Sequence, residues 1–168
     1  MDITWFGQRC FSIRTKDVSI ITDPYDEVLK KLTKVPLVKA TTISRIHQGD
    51  LPGYRQEGSG KVVDRPGEYE ISNILITGIG TSIEAQSSSQ TSPTSKNIVH
   101  AIEIEGIIIC HLGDLHSPLT SEQVEELGDV GILMAPVGSS AVLKASIETM
   151  GLLDPRVVIP MGYSSEIG

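Results

Sequence analysis

The chain has 168 residues, of which 39% are hydrophobic and 21% charged, with 16 Gly and 9 Pro. That is the composition of one globular domain spanning 1–168, not of a disordered, collagenous or coiled-coil chain. Fourteen Lys plus Arg against 21 Asp plus Glu leave a formal charge of -7, and only 4% of residues are aromatic. A basic face for a phosphate backbone and rings for base stacking are both lacking, so no nucleic-acid partner is expected.

No apolar run approaches the roughly 20 residues needed to cross a bilayer. The opening Met1-Asp2-Ile3-Thr4-Trp5 has neither the basic nor the apolar region of a signal peptide. The expectation is a cytoplasmic protein with no membrane contact. Cys10 and Cys110 sit in apolar, strand-like surroundings without Cys-x-x-Cys spacing, which reads as buried free thiols.

In chain order, Ile3 to Phe6, Cys10 to Arg14 and Val18 to Thr22 are short apolar-rich runs with tight turns, a β-meander closed by Asp23-Pro24. Tyr25 to Lys34 carries Val28, Leu29 and Leu32 at helical spacing, and Pro36 limits the helix. Ala40 to Ser44 reads as a buried strand delivering Arg45-Ile46-His47-Gln48-Gly49-Asp50 to a loop at its end. Lys61 to Val63, Glu68 to Ile71 and Ile74 to Thr77 continue the strands. From Ala85 to Asn97 the chain turns to Ser, Thr and Gln with no apolar anchor, which predicts a mobile loop within the domain.

Strands and helices alternate after that. Val99 to Glu105 and Ile107 to Leu112 form a predicted hairpin around Gly106. The second arm is continuously apolar, as a strand buried on both faces would be. Thr120 with Gln123 matches a capping box ahead of a short helix that turns Val124 and Leu127 inward and stops at Gly128. Ile132 to Pro136 is a strand. A helix is predicted from about Ala141 to Met150, with Leu143, Ile147 and Met150 on one face and Gly151 ending it, followed by a last strand from Arg156 to Pro160. The order predicts sheets covered by helices, an α/β architecture.

Four patterns in register carry a resemblance: Thr4-Trp5-Phe6-Gly7-Gln8-Arg9-Cys10-Phe11; Thr22-Asp23-Pro24-Tyr25; Pro66-Gly67-Glu68-Tyr69-Glu70-Ile71; and Cys110-His111-Leu112-Gly113-Asp114-Leu115 followed by Pro118-Leu119-Thr120 and Glu122-Gln123. From Met1 to about Tyr163 the chain resembles the metallo-β-lactamase fold superfamily, in its small branch related to ascorbate-6-phosphate lactonase and Zn-dependent hydrolases. The resemblance implies an αββα sandwich, two mixed β-sheets covered by helices, with a metal site at one edge. It also implies two zinc or manganese ions held by His and Asp, which acidify a bridging water.

The ligands that this resemblance implies are largely replaced. The Ser-His-x-His-x-Asp-His motif after the strand ending at Ser44 reads Arg45 for the first His, His47 for the second, Gly49 for the Asp and Asp50 for the last His. A shift of one residue restores Asp50 as the Asp but loses His47. The His of the first Gly-His motif is Gln8, that of the segment around Ile83 is absent, and the one after Pro160-Met161 is Gly162. Asp114 matches the metal-bridging Asp and is retained.

Several readings stay open at these residues. Asp114 either binds a metal or satisfies backbone N-H groups in the Gly113 turn. A new ligand set of His47, Asp50, Asp114 and His116 is chemically permissible, two imidazoles with two carboxylates. Arg45 either fills the former metal position and pairs with Asp114 or Asp50, or points to solvent. Asp23 is a turn-former that supports the site in relatives. His111 is expected in the core, hydrogen-bonded, with His100 facing outward. Gln8, Asp23 and Arg45 are the expected binding residues, and Asp50 and Asp114 the candidate catalytic ones.

Two functions follow. The first is a non-catalytic scaffold or small-ligand binder with no metal cofactor. The second is a metal-dependent hydrolase of an ester, lactone or phosphoester, with zinc or manganese at a reduced or altered site. A homo-oligomer is a further expectation, because an uncovered sheet edge invites self-association.

Overall fold

Runs rich in Ile, Val and Thr, broken by Gly, Asp and Asn, favour strands because β-branched side chains pack well on a pleated surface. The computed structural model describes residues 1–24, 38–46, 60–82 and 96–163. The predicted helix from Tyr25 to Lys34, together with His47, Gly49, Asp50 and Ile83, lies outside the described residues. The strands are β1 (Asp2–Gly7), β2 (Cys10–Arg14), β3 (Ser19–Thr22), β4 (Val38–Thr42), β5 (Arg45–Ile46), β6 (Lys61–Val63), β7 (Gly67–Ile71), β8 (Ile74–Ser82), β9 (Lys96–Ile104), β10 (Ile107–His111), β11 (Val130–Pro136) and β12 (Val157–Met161). Two helices complete the described part, α1 (Ser121–Leu127) and α2 (Ser140–Leu153).

The strands form two mixed sheets. One has the order β1-β2-β3-β4-β6, the other β12-β11-β10-β9-β8-β7, with β5 pairing to β9. In the first, β1, β2 and β3 run antiparallel and β4 and β6 join in parallel. In the second, β7 to β10 are antiparallel neighbours, and β11 and β12 add in parallel through α1 and α2. The antiparallel parts need only tight turns, whereas each parallel addition needs a crossover.

Side chains alternate between the faces of a strand, and this sorts the core into two layers. Phe11, Ile13, Ile20, Ala40 and Val63 of the first sheet meet Ile74, Ile76, Ile102, Ile104, Ile109 and Met134 of the second. The opposite face of the second sheet, with Val99, Ala101, Cys110 and Leu133, packs against Leu115, Leu127, Ala145 and Leu153 of the helical layer. The β9–β10 hairpin and the capping box at Thr120 match the sequence reading. Both cysteines are buried free thiols, and burial pushes the Cys10 thiol up to about 12.

Three expectations are corrected. Helix α2 runs through Gly151 to Leu153 and is capped by Asp154 in a left-handed conformation. Its buried face is not Leu143 and Ile147, which are exposed, but Val142, Ala145, Ser146 and Thr149. Small residues let the helix lie close on the sheet, and the polar ones find partners: Ser146 Oγ donates to Pro136 O at 2.8 Å, and Thr149 Oγ1 accepts from Leu119 N at 3.2 Å. The second correction concerns the polar segment from Ala85 to Asn97, whose end is strand. Lys96 and Asn97 belong to β9, and Asn97 is fully buried; residues 85–95 lie outside the described residues.

The third correction is His100. It shares the inward parity of Ile102 and Ile104, so it is buried between the sheets beside His111, its partner across the strands. His111 Nε2 lies 3.0 Å from Arg9 O and its ring meets Phe11 edge-on, whereas His100 makes no well-formed side-chain hydrogen bond among the described residues, with only a weaker pull from the Val63 backbone. Burial pushes His100 down to about 3, against the pull of the Asp23 carboxylate, and lowers His111 in the same way. Below the ordinary value of 6.5 the unfolded chain takes up a proton that the folded chain refuses. The stability that His100 contributes is therefore full above that value and falls as the pH drops toward 3, by about 1.4 kcal/mol per pH unit, and His111 adds a loss in the same direction. Urea midpoints between pH 6.5 and 5, above most carboxylate titration, should show this slope, and His100→Leu should reduce it, leaving the His111 part. An unchanged slope in the variant would contradict burial of a neutral ring.

Candidate functional site

The site begins at the β1–β2 turn. A turn this tight forces its residues out of the extended region: Gly7 has φ 107° and Gln8 φ 50°. Gln8 contributes its carbonyl oxygen, which accepts from Trp5 Nε1 at 3.1 Å and from Gly162 N at 3.0 Å. Gly162 follows β12 at the edge of the other sheet, so this pair joins the rims of the two sheets. The next carbonyl, that of Arg9, accepts from Thr22 Oγ1 at 2.9 Å. With the His111 contact, the backbone of Arg9 is thus held from both sheets.

Asp23 leaves β3 with φ 37°, and its carboxylate caps the end of β4. One oxygen accepts from Ser44 N at 2.6 Å and the other from the Ser44 hydroxyl. Ser44 is fully buried, and its carbonyl accepts from Ile98 N at 2.7 Å. A single serine therefore joins Asp23 of the first sheet to β9 of the second.

Asp114 is placed by Asn97. The Asn97 amide nitrogen donates to Thr81 Oγ1 and to Leu112 O, both at 3.0 Å, while its oxygen accepts from Asp114 N at 2.8 Å. Gly113 makes this possible. Its φ is +64°, and a Cβ there would fall 2.4 Å from Asn97 Oδ1 and 2.5 Å from Ser44 Cβ. With the backbone fixed, the Asp114 carboxylate faces Arg9 and His116: Oδ1 lies 3.7 Å from Arg9 Nη1 and 3.6 Å from His116 Nε2. Arg9 Nε is also 3.5 Å from Asp23 Oδ2. These groups open on a cleft of about 360 Å³, closed by Pro136, Val142 and Gly162, with Ser139 at the N-terminus of α2. A cavity of about 380 Å³ lies elsewhere, between Met1, Arg14 and Ser19, but its arginine already pairs with Asp2.

Of the residues singled out in the sequence, the structure brings together Gln8, Asp23, Asp114 and His116. His47 and Asp50 lie outside the described residues, and of Arg45 only the backbone is described, paired with Asn97. Arg9, Ser44 and Asn97 escaped the sequence reading. Arg9 had one signal, a cation in a two-residue turn beside a position where the resemblance has His. Asn97 was hidden by the polar segment before it, since only the register of β9 tells a buried amide from a loop residue.

The sequence profile of the beta-lactamase superfamily domain matches residues 2–162, so the chain belongs to that superfamily and has the metallo-β-lactamase fold. Its relatives are named for metal chemistry or left without a named activity. A UPF0173 protein of Pyrococcus abyssi is 29% identical over 98% of this chain and 84% of its own length. A UPF0173 metal-dependent hydrolase of Salinibacter ruber is 24% identical over 98% of this chain and 85% of its own. Among solved structures, a candidate Zn-dependent hydrolase of the metallo-β-lactamase superfamily from Thermotoga maritima has 34% identity, covers 99% of this chain and 77% of its own, and superposes with a TM-score of 0.75.

These names raise the question whether this chain's residues fit a metal centre, and the described ones do not fit a dinuclear one. Gln8 offers the site a carbonyl already engaged by two donors. Gly162 has no side chain, and at φ +71° it sits where any other residue would be strained. Both carboxylates face a guanidinium. The Gly113 geometry can be tested by stability: Gly113→Ala should cost about 2 to 4 kcal/mol, combining left-handed strain with overpacking on Asn97 and Ser44. Denaturant unfolding reads this directly, and a loss below about 1 kcal/mol would mean that the Asn97–Asp114 unit moves freely.

Proposed function

We propose that this chain is a non-catalytic member of the metallo-β-lactamase fold, whose cleft receives a small-molecule ligand in place of a hydrolytic reaction. The observation that carries this reading is the pairing of Gln8 with Gly162. Both positions have His in the resemblance, and here they meet through a backbone hydrogen bond of 3.0 Å at the rim of the cleft. Water activation by metal needs several strong donors on each ion together with an open coordination position. A backbone bridge supplies none. The cleft still offers Arg9, His116 and Asp114 for polar recognition and Pro136 and Val142 for apolar contact, the mixture typical of small-ligand sites. Association of two copies is a further proposal, supported by the exposed Val157 and Val158 on the edge strand β12.

A second reading is favoured by the relatives' names, which fit a metal-dependent hydrolase better than they fit a non-catalytic protein. In that reading His116 and Asp114, 3.6 Å apart in the cleft, join His47 and Asp50 as an altered zinc or manganese site acting on an ester, lactone or phosphoester. Metal analysis of protein purified without chelator, with assays on a generic phosphodiester and a lactone, separates the two. The first reading expects metal far below one ion per chain and no turnover above background with added Zn²⁺ or Mn²⁺. Metal-dependent turnover abolished by Asp114→Ala or His47→Ala would overturn it and establish the hydrolase.

A further inference from the structure

Asp23 and Asp114 come from opposite sheets, yet their side chains converge at one end of the sandwich with only 12% and 14% of their surface exposed. Two carboxylates largely out of water at one end of the sandwich repel each other, and a cation within reach of both offsets part of that cost. The structure supplies one from within the chain. Arg9 reaches Asp23 through Nε at 3.5 Å and Asp114 through Nη1 at 3.7 Å, and Arg9 Nε makes no hydrogen bond among the described residues. Toward Asp23, Nε therefore acts by its charge, not as a directional donor.

Its position is fixed at both ends. The Arg9 carbonyl is held by Thr22 and His111, and the side-chain stem passes Gly162, where a Cβ would lie 3.9 Å from Arg9 Cγ.

We infer that Arg9 is a built-in cation that replaces a metal ion between Asp23 and Asp114 and makes the folded site independent of metal. This rests on the reading that the cleft does not carry a dinuclear centre, and it adds which residue supplies the charge. Removal of the guanidinium then leaves both carboxylates without that cation, and a divalent ion, which prefers hard oxygen donors, can take up the charge it supplied.

Thermal unfolding of wild type, Arg9→Ala, Arg9→Lys and Arg9→Ala/Asp114→Asn, each with EDTA and with millimolar Mn²⁺, tests this. The wild type should melt at the same temperature in both conditions. Arg9→Ala should melt about 3 °C or more lower in EDTA and recover much of the loss in Mn²⁺, with binding visible by calorimetry. Arg9→Lys should stay near wild type, because it keeps the charge. The double variant should be more stable than Arg9→Ala in EDTA and gain nothing from Mn²⁺, since one of the two anions is gone. Arg9→Ala melting with the wild type in EDTA would overturn the inference while leaving the non-catalytic reading intact, whereas Mn²⁺ raising wild type and Arg9→Ala equally would overturn both. If Arg9→Ala does not fold, the inference stands or falls on the double variant: folding expected, failure to fold contradicting it.

Discussion

The arrangement depends on one electrostatic constraint, the placing of the Arg9 guanidinium within reach of two carboxylates that come from different sheets. A β-sandwich brings its two layers together through apolar contact, which has no direction and does not specify which strand ends meet. The Arg9 contacts with Asp23 and Asp114 do specify it. Each distance exceeds that of a strong hydrogen-bonded ion pair, and Arg9 keeps 30% of its side-chain surface exposed. The interaction is thus partly screened by solvent and smaller than a buried pair would give. Its role is to neutralise part of the charge of two anions where the cleft opens.

Around that charge the buried polar groups are arranged so that few backbone positions are free to move. Ser44 joins Asp23 to β9, and Asn97 joins β8, the end of β10 and Asp114. A buried amide or hydroxyl is costly unless each of its polar atoms is matched, so these contacts hold Asp114 to one orientation. In this chain the scaffold aims two carboxylates at an arginine, and fold similarity to metal-dependent hydrolases carries no activity by itself.

Much of the fold was legible because it is written in short-range patterns. The β-branched runs, the Gly106 turn and the Thr120–Gln123 capping box each act over a few residues, and each appears in the structure as read. Position within the layers was harder. His100 and His111 were separable only by strand parity, and the inner face of α2 was missed because Leu143 and Ile147 are larger and more apolar than the Ala, Ser and Thr that in fact pack. At the site, Gln8 and Gly162 were visible as departures from the His of the resemblance, but the reach of Arg9 was not. That Arg9 reaches both Asp23 and Asp114 depends on contacts between residues 14 and 105 positions apart, which no local spacing encodes.

The central claim is that a guanidinium occupies the place between Asp23 and Asp114 that an ion would otherwise take. Anomalous X-ray scattering at the zinc edge, from crystals of the wild-type protein grown with excess Zn²⁺ near neutral pH, measures this most directly. The account predicts Arg9 between the two carboxylates and no anomalous peak within bonding distance of Asp114. A zinc ion bonded to Asp114, with the Arg9 side chain turned away, would contradict it.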